Sequence, residues 1–122
     1  LAFVVMLLVG ALLASAGLAL PAVEPVIALS LVLLGALLAA RTAWPAAAMA
    51  AVAALFALFH GAAHGTELQG MEALAGMVLA TALLHGIGLF AGHALRRHSL
   101  WWARTAGIVA SLVGAVLLFG AA

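Results

Sequence analysis

The sequence predicts an all-α fold: a polytopic transmembrane helix bundle of about five spans, forming a single transmembrane domain over residues 1–122. Three observations predict it. Hydrophobic residues make up 70% of the chain and charged residues only 6%, whereas a soluble domain carries about 25% charged residues. The apolar residues fall into five runs near the roughly 20 residues that a bilayer core demands. Every run ends at a proline, a glycine or a charge cluster. A soluble domain of 122 residues would leave much of this surface facing water, so the chain needs lipid as its solvent.

The first helix is expected over residues 1–20. The segment Pro21-Ala22-Val23-Glu24-Pro25 ends it, because proline breaks a helix and restricts the residue before it. The second is expected over 26–40, short enough that it can begin within that turn. Arg41-Thr42-Ala43-Trp44-Pro45 makes the next break, with Pro45 suited to open the third helix over 45–64. A polar loop at Gly65–Gly70 leads to a fourth helix over 71–95. Arg96-Arg97-His98 interrupts, and the fifth is expected over 100–120. Small residues at i, i+4 (Gly10/Ala14, Gly61/Gly65, Gly88/Gly92, Ala110/Gly114) point to close helix packing.

The charges sort by side. All four basic residues, Arg41, Arg96, Arg97 and Arg104, fall in the second and fourth connections or the first turn of the fifth helix. The three glutamates, Glu24, Glu67 and Glu72, fall in the first and third connections. Arginine accumulates on the cytoplasmic side. The expected topology in a bacterial inner membrane therefore has the arginine-bearing loops cytoplasmic and the C-terminus periplasmic. Trp44, Trp101 and Trp102 fall on the arginine side, where an interfacial aromatic belt belongs.

Several function classes are excluded. With no cysteine there is no disulfide, thiolate metal site or cysteine nucleophile. No basic patch interleaved with aromatics points to nucleic acid. There is no Gly-x-Ser-x-Gly elbow and no phosphate loop, and the chain has no aspartate. The expectation is a protein that is not an enzyme.

The informative segment is Phe59-His60-Gly61-Ala62-Ala63-His64-Gly65-Thr66-Glu67. His60, His64 and Glu67 stand at i, i+4 and i+7, within about 60° of one another on a helix. Two imidazoles and a carboxylate on one stripe suit a borderline divalent metal such as nickel, cobalt or zinc. The zinc-protease pattern fits only in part, since Gly61 stands where that motif has its glutamate. The plain alternative is a solvated interfacial cluster. His60 resists it, lying about a turn and a half inside the bilayer, where ionisable groups are rare and mark pathways. His85, near the middle of the fourth helix, is the second unusual residue, with a buried structural histidine as its alternative. By rise per residue, His60 lies about 7 Å outside the midplane and His85 a few ångströms inside it, which suits a staged path. Glu24, Glu67 and Glu72 would draw a cation to the mouth, His64, Glu67 and His60 would capture it, and His85 would pass it on. Glu24 and Glu72 also admit a simpler role as solvated loop carboxylates.

At these residues the sequence resembles a known family. The run from Leu20 to Ser30, the block from Ala54 to Leu68 and the segment Ala80-Thr81-Ala82-Leu83-Leu84-His85 are similar to the HupE/UreJ family of small bacterial inner-membrane proteins linked to nickel hydrogenases and ureases. The resemblance implies a nickel permease, with cobalt as second choice, that supplies metal for enzyme maturation. The ion is then transported rather than tightly bound as a cofactor. The functional positions carry over onto His60, His64, Glu67 and His85. The family pattern also includes a signal peptide and a further helix bearing His-Pro-x-x-Gly-x-Asp-His. Neither occurs in this sequence, and the expectation is the last five helices of a six-helix permease.

The expected partners are a divalent metal ion and the bilayer, with a homo-oligomer or another membrane protein compatible and nucleic acid excluded. Two other readings compete: a haem-binding membrane subunit with His60 and His85 as axial ligands, and a noncatalytic membrane assembly subunit.

Overall fold

The five expected helices form. In a computed structural model that describes residues 1–68, 70–98 and 100–120, they are α1 (Ala2–Ser15), α2 (Val23–Ala40), α3 (Ala46–Glu67), α4 (Met71–His98) and α5 (Leu100–Gly120). There is no strand among the described residues. The side chains of 95–98 and 100 lie outside the description, so the expected cluster at Arg96, Arg97 and His98 is placed by its backbone alone.

The helix ends differ from expectation where turn chemistry overrides hydropathy. α1 stops at Ser15, well before residue 20. Gly17 takes a left-handed φ of 90°, its N–H bonds back to the Ala14 carbonyl and the Leu18 N–H to the Leu13 carbonyl, both at 3.0 Å. These are the two bonds of a Schellman stop. α2 begins at Val23 because proline is tolerated in a first turn. Arg41 closes α2 with the same pair of bonds, from its own N–H to Leu38 and from Thr42 to Leu37, both 3.2 Å. Its φ is 55°, a left-handed position that glycine usually fills. α3 runs on to Glu67 instead of stopping at His64, and α4 continues past residue 95 to His98.

Among the described residues, four helices are long and apolar enough to cross a membrane: Val23–Ala40, Ala46–Glu67, Met71–Ala94 and Trp101–Gly120. α1 is apolar but only 14 residues long, shorter than the full span expected for it. The chain is a multi-pass membrane protein.

It divides into two compact units. The first comprises residues 1–24 and 44–84, hence α1, α3 and the first half of α4. Here α1 and α3 meet backbone to backbone. A Cβ added at Gly61 would collide with the Leu7 carbonyl, one at Gly65 with Ala11, and one at Gly10 with the Leu58 carbonyl. From Leu7–Gly61 to Ala11–Gly65 both numbers rise by four, so the two helices run parallel. The buried side chains at this contact are mostly small: Ala11, Ala57 and Ala62, with Leu7 and Phe56.

The second unit comprises residues 25–43 and 85–122, hence most of α2, the second half of α4 and α5. α2 and α5 also meet at glycines, but antiparallel. A Cβ at Gly107 would lie 2.6 Å from the Gly35 carbonyl oxygen, and one at Gly114 would lie 2.8 Å from that of Ala28. The Ser111 hydroxyl donates across the pair to the Val32 carbonyl at 3.0 Å. In lipid no hydrophobic force drives helices together, so close backbone approach and such hydrogen bonds hold them. The large apolar side chains point the other way: Leu83, Leu84, Leu89, Phe90, Leu112 and Val116 are among many that are exposed, as a lipid-facing surface requires. Of the expected small-residue pairs, Gly88/Gly92 meets no neighbour among the described residues, since an added Cβ at either has nothing within 4 Å.

Gly61→Val is therefore expected to cost about 3 kcal/mol, because backbone on both sides cannot yield, whereas Gly86→Ala, with open space around it, is expected to be neutral or to gain up to about 1 kcal/mol in helix propensity. Thermal unfolding of the purified protein in detergent measures both.

Candidate metal centre

α3 carries three of the candidate residues. Because it runs unbroken from Ala46 to Glu67, His60, His64 and Glu67 do lie on one helix, as their spacing requires for a shared stripe. Their surroundings grade outward. His60 is half-buried, while His64 in the last turn and Glu67 at the end are exposed.

His60 is held from two sides. Its Nδ1 lies 3.0 Å from the Phe56 carbonyl oxygen, one turn back on α3. A carbonyl can only accept, so Nδ1 carries a proton, and in the neutral imidazole Nε2 is the nitrogen with the lone pair. Metal-ligating histidines commonly donate one ring N–H to a backbone carbonyl in this way, which fixes the tautomer and leaves the other nitrogen free to ligate. On the other side the Phe3 ring of α1 lies against the imidazole, with centroids 6.2 Å apart and planes at 55°. Gly61, the next residue, is what admits α1 close enough for this contact.

Among the described residues, no three His, Asp or Glu side chains form a preformed metal shell. His85 belongs to the second unit, exposed on α4. Glu24 and Glu72 are exposed and sit in the first turns of α2 and α4, where a carboxylate is stabilised by the helix dipole. That gives both a structural role independent of any ion.

Charge separates by unit. Glu24, Glu67 and Glu72 all belong to the first unit; Arg41, Arg96, Arg97 and Arg104 all belong to the second. The histidine-bearing α3 thus lies in a unit whose only charged side chains are carboxylates. At the His64–Glu67 end of that unit a cleft of about 610 Å³ opens between the ends of α1 and α3 and the start of α4, lined in part by Leu12, Ser15, Gly65, Thr66, Met71 and Leu74. The Ser15 hydroxyl donates to the Leu12 carbonyl at 2.9 Å and the Thr66 hydroxyl to the Ala63 carbonyl at 2.7 Å. With their protons committed, both oxygens can offer only lone pairs to an occupant of the cleft.

The family model described as HupE / UreJ protein matches residues 1–117. The chain belongs to the HupE/UreJ family. It is also 42% identical over 125 residues to a curated relative named Protein HupE from Rhizobium leguminosarum bv. viciae, an alignment covering 98% of this chain and 65% of the relative. The chain therefore spans about 65% of that relative's length. No solved structure matches it.

Within this HupE/UreJ chain, sequence reasoning missed two partners of His60. The Phe56 carbonyl could have been found, since it lies four residues back on a helix already expected. Phe3 could not, because nothing in the sequence says which face of α1 meets α3. Nitrogen-15 NMR of histidine-labelled protein is expected to show His60 as the Nδ1–H tautomer with an unprotonated Nε2. A protonated Nε2 with a bare Nδ1 would contradict the bond to Phe56.

Proposed function

We propose that this HupE/UreJ chain belongs to a permease for a divalent transition metal, nickel first and cobalt second, which supplies metal for hydrogenase or urease maturation. The protein is a transporter and not an enzyme, and it works in the bacterial inner membrane with its arginine-bearing loops cytoplasmic. The observation that carries this reading is His60: a half-buried imidazole on a membrane helix, its Nδ1 bound to the Phe56 carbonyl and its Nε2 left as a donor. Family membership and the segregation of all three glutamates into the same unit support it.

The chemistry follows from donor type. Imidazole nitrogen favours nickel, cobalt and zinc, while magnesium and calcium require oxygen shells. Glu67 and Glu72, with Glu24, raise the local concentration of cations at the mouth. A dehydrating ion is then captured by His64, Glu67 and His60, and His85 receives it further along.

The test is radioactive nickel uptake by cells or proteoliposomes carrying the protein together with any partner it requires. His60→Ala is expected to lower uptake at least tenfold with unchanged membrane abundance, and Glu67→Gln to raise the half-saturating metal concentration several-fold. Unchanged uptake in both His60→Ala and His64→Ala would overturn the reading. A Soret band in the purified protein, lost in His60→Ala and His85→Ala, would favour a haem-binding subunit instead.

A further inference from the structure

The second unit holds four arginines and no Asp or Glu at any position, and the permease reading makes no use of this charge. The α2–α5 contact brings two of the arginines to one end. Gly35 and Ala39 lie against Gly107, and Ala28 and Val32 lie against Gly114, with the Ser111–Val32 hydrogen bond holding the register. Continuing that antiparallel register, Arg41, just past the end of α2, comes level with the first turns of α5. There Arg104 stands about one turn before Gly107. Both side chains are exposed. Two guanidiniums held at one end of a helix pair repel each other, and no carboxylate in their unit relieves them.

Two further features narrow what relieves them. Arg41 occupies a left-handed position, with φ 55°, that glycine fills without strain and an L side chain does not. Trp101 and Trp102, one turn or less before Arg104 on α5, are exposed. Indole rings settle at the headgroup level of a bilayer. Guanidinium groups bind phosphate through paired N–H donors in a fork that fits its oxygens. We propose that Arg41 and Arg104 form a binding site for an anionic phospholipid headgroup, engaged through its phosphate, at the end of the unit where α2 stops and α5 begins. The site is independent of the metal path and of which metal travels it.

The test uses the whole chain, purified in a zwitterionic detergent. Binding is measured by native mass spectrometry and by the shift in melting temperature on adding phosphatidylglycerol, phosphatidylcholine or inorganic phosphate. The informative variants are Arg41→Gly, which keeps the left-handed turn while removing strain and charge together, and Arg104→Gln. In lipid-free detergent both are expected to melt no lower than the unaltered protein, which separates lost binding from lost folding. Each is expected to weaken phosphatidylglycerol binding about fivefold, and the pair about 25-fold, the effect of removing one and two interfacial charges. Phosphatidylcholine binding as tight as phosphatidylglycerol binding would overturn the proposal, as would undiminished phosphatidylglycerol binding in the double variant. Full displacement of the lipid by millimolar inorganic phosphate would assign the arginines to a soluble anion and overturn the lipid site.

Discussion

Close backbone approach at glycines is the constraint on which the rest of this structure depends. In water, helices are driven together by the apolar surface they hide. In lipid that drive vanishes, because an acyl chain solvates leucine as well as another leucine does. What remains is dispersion at short range, and dispersion falls steeply with distance. Gly10, Gly61 and Gly65 bring α1 onto α3, and Gly35, Gly107 and Gly114 bring α2 onto α5, close enough that a single methyl group would strike backbone. The interior is accordingly built mostly from alanine and glycine, and the large side chains face outward.

Function inherits this packing. His60 is placed by its own helix, but its ring is set by what the α1–α3 contact brings beside it. Gly61 admits α1, α1 carries Phe3, and Phe3 closes one side of the imidazole while the Phe56 carbonyl accepts a hydrogen bond from Nδ1–H. Rotamer and tautomer are thus decided together. In the second unit the same kind of contact, with Ser111 as an added hydrogen bond, sets the register that brings Arg41 level with the start of α5. In each unit a small-residue contact between two helices sets where polar groups lie.

Hydropathy runs and their breaks made the five helices legible, because a polar or broken backbone is too costly inside a bilayer to be hidden. Their ends were less so. α1 stops at Ser15 because Gly17 takes a left-handed conformation that two hydrogen bonds then close, and hydropathy is blind to that choice while the residues beyond it are still apolar. α3 passes through Gly65 to Glu67 because Gly65 is spent on contact with Ala11 and not on a turn. Gly61/Gly65 and Gly88/Gly92 read alike in sequence, yet among the described residues only the first pair meets another helix. Identical spacing cannot say which face of a helix has a neighbour.

The sequence by itself determined that this is a multi-pass helical membrane protein of the HupE/UreJ family, and it determined which residues bear unusual chemistry. Those properties reside in composition, in the order of apolar runs and in local motifs, all readable along one dimension. Tertiary structure alone decided that α1 lies parallel to α3 and α2 antiparallel to α5, that Phe3 is the neighbour of His60, and that the glutamates and arginines belong to different compact units. These depend on contacts between residues far apart in the chain. Such contacts are selected by whether two backbones can approach within a methyl group's width, which no local pattern encodes.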